Sequence, residues 1–229
     1  MTIMTHSQTT DLLNVRRTER RMHKLANVVL HDRLALPVDI LQRTVETLNN
    51  SFKSLLNIKK PQMIHYQQFL VDLSSNEIAE AIWYTSPPHE LRTVCECLAI
   101  LYGIDVPPTN PEQQTQQWAA LKKSMARYDF KTWFTNLTTN VQSIPMSSVS
   151  QVEDIIRLDP TITYERLREV SLPGYKLLII VAACLQYVKI WDEVQQRKSE
   201  LSTFEVKASH AKLFLSCINY NKHSTPIDR

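Results

Sequence analysis

Glycine is almost missing. Gly103 and Gly174 are the only two in 229 residues, where average usage of about 7% would supply roughly sixteen. A P-loop or a dinucleotide fingerprint needs clustered glycines so that backbone can approach phosphate, and neither can be built here. Tight-turned all-β folds are disfavoured too, because positive-φ turn positions call for glycine. Long apolar runs are also lacking. The best, Leu177 to Leu185, stops at Gln186, far short of the 18 or so residues of a membrane span, so no membrane partner is expected. The N-terminus has no apolar signal-peptide centre. Arg16, Arg17, Arg20 and Arg21 resemble transit-peptide composition, but Asp11 and Glu19 argue against that.

Cysteine is sparse as well: Cys95, Cys97, Cys184 and Cys217. On a helix a C-x-C pair points about 200° apart, and no second pair or His cluster completes a zinc site. Buried, reduced thiols are the expectation. The net charge of +3 is too small to argue for nucleic acid, which is not expected as a partner. The seven histidines are scattered, none at triad spacing with a Ser or Cys, so neither catalysis nor a cofactor is expected. Glu153-Asp154 reads as a solvated helix end rather than a carboxylate pair. Trp118, Phe130, Trp133 and Phe134 read as helical core.

What is abundant is helix. Residues 1–33 read as a basic N-terminal extension, whose Val15–Lys24 segment could meet an acidic surface. From Leu34 a 4-3 spacing runs through Val38, Leu41, Val45, Leu48, Phe52 and Leu55, the seam of a helix that pairs with another. Pro37 fits its first turn, and Pro61 should kink or end it. The pattern resumes at Met63, Tyr66, Leu70 and Leu73, making 34–86 an incoming arm. Ser86-Pro87-Pro88 breaks the chain. A helix through Leu91, Val94, Leu98 and Leu101 then ends at Gly103 as C-cap. A Pro-rich loop spans 104–116. Short helices follow at Trp118–Met125, Tyr128–Leu137 and Ser150–Leu158, and another opens with Thr163 as N-cap. Pro173-Gly174 marks a kink or division in that last helix. From Leu177 a returning arm, 177–216, carries Ile180, Cys184, Tyr187, Trp191, Val194 and Leu201, with Lys198 and Glu205 weakening its far end. Residues 217–229 form a polar tail. Folding the arms antiparallel buries both seams. The fold expected is therefore all-α, an antiparallel coiled-coil hairpin carrying a small helical-bundle head over 87–176.

Ordered landmarks give this plan a resemblance. Asn76-Glu77-Ile78 before Ser86-Pro87-Pro88, Glu90-Leu91-Arg92 with Cys97 and Gly103, and Trp118 with Leu121-Lys122-Lys123 come first. Asp129-Phe130, Ile144-Pro145, Asp159-Pro160 with Glu165-Arg166, and Trp191-Asp192-Glu193-Val194 follow. Together, over roughly residues 70–205, they resemble the stalk and microtubule-binding head of dynein heavy chains. The resemblance implies a tubulin-facing surface built from basic residues, here Arg92, Lys122, Lys123, Arg127, Arg166, Arg168 and Lys176. Glu169, Leu172 and Tyr175 stand where the family carries further basic residues, and Pro173-Gly174 interrupts that helix. No AAA+ motor fits this length. The expectation is a non-enzymatic, dynein-stalk-like adaptor in the cytoplasm, on the cytoskeleton of a cilium or flagellum. It would form part of a larger complex and bind microtubules or axonemal proteins through its head. The alternative is a structural subunit that uses the same fold after losing tubulin binding. A third reading is nucleic-acid or organelle-assembly binding through the Arg16–Lys24 segment.

Overall fold

The computed structural model describes residues 6–71, 73–106 and 114–223; the segment holding Pro107, Pro108 and Pro111 lies outside the described residues, as do the last six. Nine α-helices and one 3-10 turn make up those described, with no β-strand among them, as the all-α reading expects. They are α1 His6–Gln68, α2 Ser75–Ile82, α3 His89–Tyr102, α4 Gln114–Met125, α5 Tyr128–Thr135, α6 Leu137–Asn140, α7 Met146–Leu158, α8 Tyr164–Val170 and α9 Leu172–His223. No helix among them is long and apolar enough to cross a membrane. They divide into two compact units, one of residues 55–196 and one of 1–54 with 197–229.

The 55–196 unit is organised around two buried helices. Ten of the fourteen residues of α3 are buried, so α3 is core on nearly every face. It begins directly after Pro88 and ends at Gly103, whose φ of 99° is left-handed. Backbone N–H groups of Gly103 and Ile104 cap the carbonyl of Ala99 at 3.1 and 2.9 Å, a Schellman-type stop that glycine permits. The first half of α9 is the second buried helix. Leu177, Leu178, Val181, Cys184, Leu185 and Val188 are all buried, a wider face than a coiled-coil seam. Around these two pack Phe130 and Phe134 of α5, Leu137 of α6, Val149 and Val152 of α7 and Leu167 of α8. The Tyr102, Phe130 and Trp133 rings meet at 5.1–5.7 Å. Within this unit the end of α1 runs antiparallel to α9, tied by Lys59–Glu193 at 2.8 Å.

Local chemistry sets most boundaries. Ser74 caps α2 by accepting the Asn76 N–H, while its hydroxyl donates to Glu77. Thr163 caps α8 by accepting the Arg166 N–H at 3.1 Å, as expected of an N-cap threonine. The chain divides at Ser171, not at Pro173-Gly174: α8 ends at Val170 and α9 starts at Leu172. Pro173 thus sits in a first turn, where its missing N–H costs nothing, and Ser171 Oγ accepts the Gly174 N–H. Gly174 marks a close approach, since a Cβ there would lie 2.7 Å from Leu167 Cδ2 and 3.3 Å from Leu91 Cδ1.

Two prolines do not act as expected. Pro37 is interior to α1 rather than in a first turn, and Pro61 does not end the helix, which continues to Gln68. Both are exposed. The carbonyls four residues back, on Arg33 and Asn57, lose a helical donor, and on a solvent-facing side water replaces it.

In the other unit, α1 residues to Ser54 and α9 from Arg197 supply all the helix. Val38, Leu201 and Ile218 are buried, and Leu41, Val45, Leu48 and Phe52 half-buried. With only two helices in the unit, the seam of α1 packs on its own chain. The α9 seam differs from expectation. Lys198 and Glu205 are exposed, and the inward positions are Leu201, Phe204, Ala208, Ala211, Leu215 and Ile218. The 3-4 repeat has rotated by one place, so pairing persists to Ile218, and the supposed tail from 217 is helical to His223.

Candidate functional site

The basic residues of the head divide into those engaged internally and those that face water. Arg166 Nε donates to Glu90 Oε1 at 2.9 Å, joining α8 to the first turn of α3. The Glu90 side chain is only 9% exposed, against 53% for Arg166. Its own backbone N–H, at a helix start, is the largest influence lowering the Glu90 pKa; burial opposes it and Arg166 assists. Beside it, His89 Nε2 meets Asp159 Oδ2 at 2.6 Å. Burial pushes the Asp159 pKa up, but hydrogen bonds from the Thr161 hydroxyl and N–H and from His89 outweigh it, and the net shift is downward. The start of α3 is therefore pinned to the α7–α8 corner by two charged contacts.

Lys122 is equally committed. Its Nζ donates to the Tyr84 carbonyl at 3.3 Å, where Trp118 Nε1 also donates at 3.0 Å. The pair closes the Trp83–Pro88 connection over α4. Tyr84 packs on the core, whereas Trp83 is 82% exposed and anchors nothing within the chain. Arg127 holds Asp129 with two bonds, Nε to Oδ1 at 3.1 Å and Nη2 to Oδ2 at 2.7 Å. Arg92 is half-buried on α3; burial raises the pKa of neighbouring Glu96, and the Arg92 charge opposes that rise without cancelling it. Lys123, Arg168 and Lys176 are exposed and take part in no ion pair among the described residues. Of seven predicted contact residues, three remain open cations.

Charge is divided unevenly between the units. Residues 55–196 hold twelve Lys/Arg against fifteen Asp/Glu, a net charge of −3, while the rest of the chain holds fourteen against eight, a net of +6. Sequence reasoning noted the basic Val15–Lys24 segment and the cations of the head helices but not the net charge of residues 55–196; counting charge over that span would have found it. Leu158 and Leu172, at 78% and 57% exposure, flank α8 and add apolar surface there. Clefts of about 480 Å³ between α7 and α9 and about 660 Å³ between α3 and α7 carry Glu153 with Asp154 and Glu96 with Asp159 respectively. Among the described residues no three His, Cys, Asp or Glu side chains gather as metal ligands. Cys95, Cys97 and Cys184 are buried, but Cys217, expected buried, is exposed. Burial pushes the Cys97 thiol up to about 12 and raises Cys95 and Cys184 as well.

No protein-family model matches the chain. Over 136 residues it is 28% identical to the "Dynein-1-alpha heavy chain, flagellar inner arm I1 complex" of Chlamydomonas reinhardtii, covering 58% of this chain. A match of the same length is 24% identical to "Dynein axonemal heavy chain 10" of Homo sapiens and covers 59%. The chain spans about 3% of the length of either heavy chain. It carries, in an all-α fold, a region related in sequence to dynein heavy chains.

Proposed function

We propose that the protein is a non-catalytic, dynein-stalk-like structural subunit of the microtubule cytoskeleton in a cilium or flagellum, whose helical head docks on an axonemal protein complex. The likeness to two axonemal heavy chains supports the setting. One observation carries the role of the head: four of its seven expected contact residues are drawn into internal contacts or half-buried, and the 55–196 unit that contains it has a net charge of −3. A head that must settle on an acidic tubulin surface needs complementary positive potential, and of those seven residues Lys123, Arg168 and Lys176 alone are exposed without an ion pair among the described residues. Exposed Leu158 and Leu172 suit a protein partner with an apolar patch better than a carboxylate-rich lattice.

The test is retention of the tagged full chain on axonemes after detergent extraction of ciliated cells. Wild type should remain bound. Leu158→Asp with Leu172→Asp, both at exposed positions, should release it, while Lys123→Glu with Arg168→Glu should not. Detergent-soluble wild type would refute the location. Release by the charge pair alone would favour the second reading, direct tubulin contact through the head, which those three open cations support.

A further inference from the structure

The helix α1 outruns its partner. In the 1–54/197–229 unit α1 contributes 49 residues, 6–54, and α9 contributes 27, 197–223. About 22 residues of α1, roughly 33 Å at 1.5 Å per residue, therefore extend past the helix supplied by α9 among the described residues. Exposure agrees: every side chain from Arg17 to Ala26 is exposed, as are Val28 and Val29, and among the described side chains of α1 Ala35 is the first half-buried and Val38 the first buried. Most helix stability in proteins comes from packing one face, and from Arg17 to Ala26 no side chain of this stretch is buried.

Its composition changes where the pairing stops. Carried back from Leu34, the 3-4 seam spacing passes through positions 31, 27, 24, 20 and 17. The last three are Lys24, Arg20 and Arg17. Arg17, Arg20, Arg21 and Lys24 stand at i, i+3, i+4 and i+7, one face of the helix. Glu19 falls on the opposite side. No acidic side chain pairs with Arg17, Arg21 or Lys24 among the described residues. Leu25, at 61% exposure, flanks the strip beside Arg21, and exposed Met22 falls towards the side of Glu19.

We infer that this face of α1, rather than the head, is the chain's contact with an acidic protein surface. Charge complementarity selects the occupant. The strip belongs to a unit of net charge +6, and its Arg17, Arg21 and Lys24 meet no acidic side chain among the described residues. An acidic protein surface supplies carboxylates for the basic side chains together with an apolar contact for Leu25 at the strip's edge. A phosphate backbone supplies only the first. A lipid surface would want aromatic anchors, which the segment lacks.

The experiment compares the full chain with two charge-matched variants, Arg17→Glu/Arg21→Glu/Lys24→Glu and Lys123→Glu/Arg168→Glu/Lys176→Glu. Each substitutes three exposed cations. The probes are polymerised tubulin, immobilised polyglutamate, duplex DNA and phosphatidylserine vesicles, with circular dichroism to confirm equal helicity. Wild type should bind polyglutamate and polymerised tubulin. The α1 variant should lose at least about tenfold in affinity, a loss of about 1.4 kcal/mol, and the head variant should stay within about twofold. Equal loss in both variants, loss in neither, or tighter binding to DNA or vesicles than to polyglutamate overturns the inference. Polyglutamate binding that depends on α1, without tubulin binding, upholds the strip and passes the search to another acidic axonemal protein. Failure of axonemal retention, by contrast, bears only on the proposed location.

Discussion

Replacing Arg166 by Met should weaken the head itself, and by an amount that depends on pH. The methionine keeps most of the aliphatic stem but removes the guanidinium that meets Glu90 at 2.9 Å. Exposed pairs contribute about 0.2–1 kcal/mol, and removing one partner of a fully buried pair costs about 3–5 kcal/mol. Glu90 is buried and Arg166 is half in water, so the expected loss lies between, at about 1–2 kcal/mol. With a urea m-value of about 2 kcal/mol/M, the midpoint followed by tryptophan fluorescence should fall by about 0.5–1 M at pH 7. The Glu90 pKa is lowered in the fold, so its stabilising contribution is complete above the unfolded glutamate value of about 4.3. It is lost as pH falls through the lower folded value. The gap between wild type and variant should therefore narrow as pH falls below that unfolded value. A midpoint unchanged at pH 7, or a gap of equal size at pH 3, would refute the ion pair as a structural tie. Arg166→Glu would set a second carboxylate against Glu90, so loss of partner binding in that variant would report a damaged head rather than a missing contact.

Three further outcomes are expected. Native protein should release about one thiol equivalent to an aromatic disulfide reagent, from exposed Cys217, and about four after unfolding; rapid native labelling of Cys184 would contradict the packing of α9. Gly174→Ala should couple to Leu167→Ala: the added Cβ meets Leu167 Cδ2 at 2.7 Å, so truncating Leu167 should cost at least about 1 kcal/mol less in the alanine background than in wild type, and strict additivity in a double-mutant cycle would rule out that contact. Pro61→Ala should stabilise the chain by about 2 kcal/mol in urea melts, because alanine restores a donor within α1 and its helix propensity exceeds that of proline by about 3 kcal/mol, less the unfolded-state entropy that proline removes; a lower midpoint would show that Pro61 packs rather than merely being tolerated.

Features governed by neighbours along the chain are readable from the residues alone. The Thr163 and Gly103 caps, the break at Ser86-Pro87-Pro88 and the apolar repeat from Val38 each depend on a few adjacent groups, and all recur in the fold. The prolines at 37 and 61 mislead because local preference, worth about 3 kcal/mol, is overridden by burial along a long seam. The rotation of the α9 repeat from Lys198 and Glu205 to Phe204 and Ala208 is likewise set by the helix opposite. The fate of each cation depends on contacts made far along the chain: Arg166 reaches Glu90 across 76 positions and Lys122 reaches Tyr84 across 38. Spacing says which residues share a helix face, but a charge is spent or left open by whatever another helix brings against it, and that is a property of three-dimensional packing.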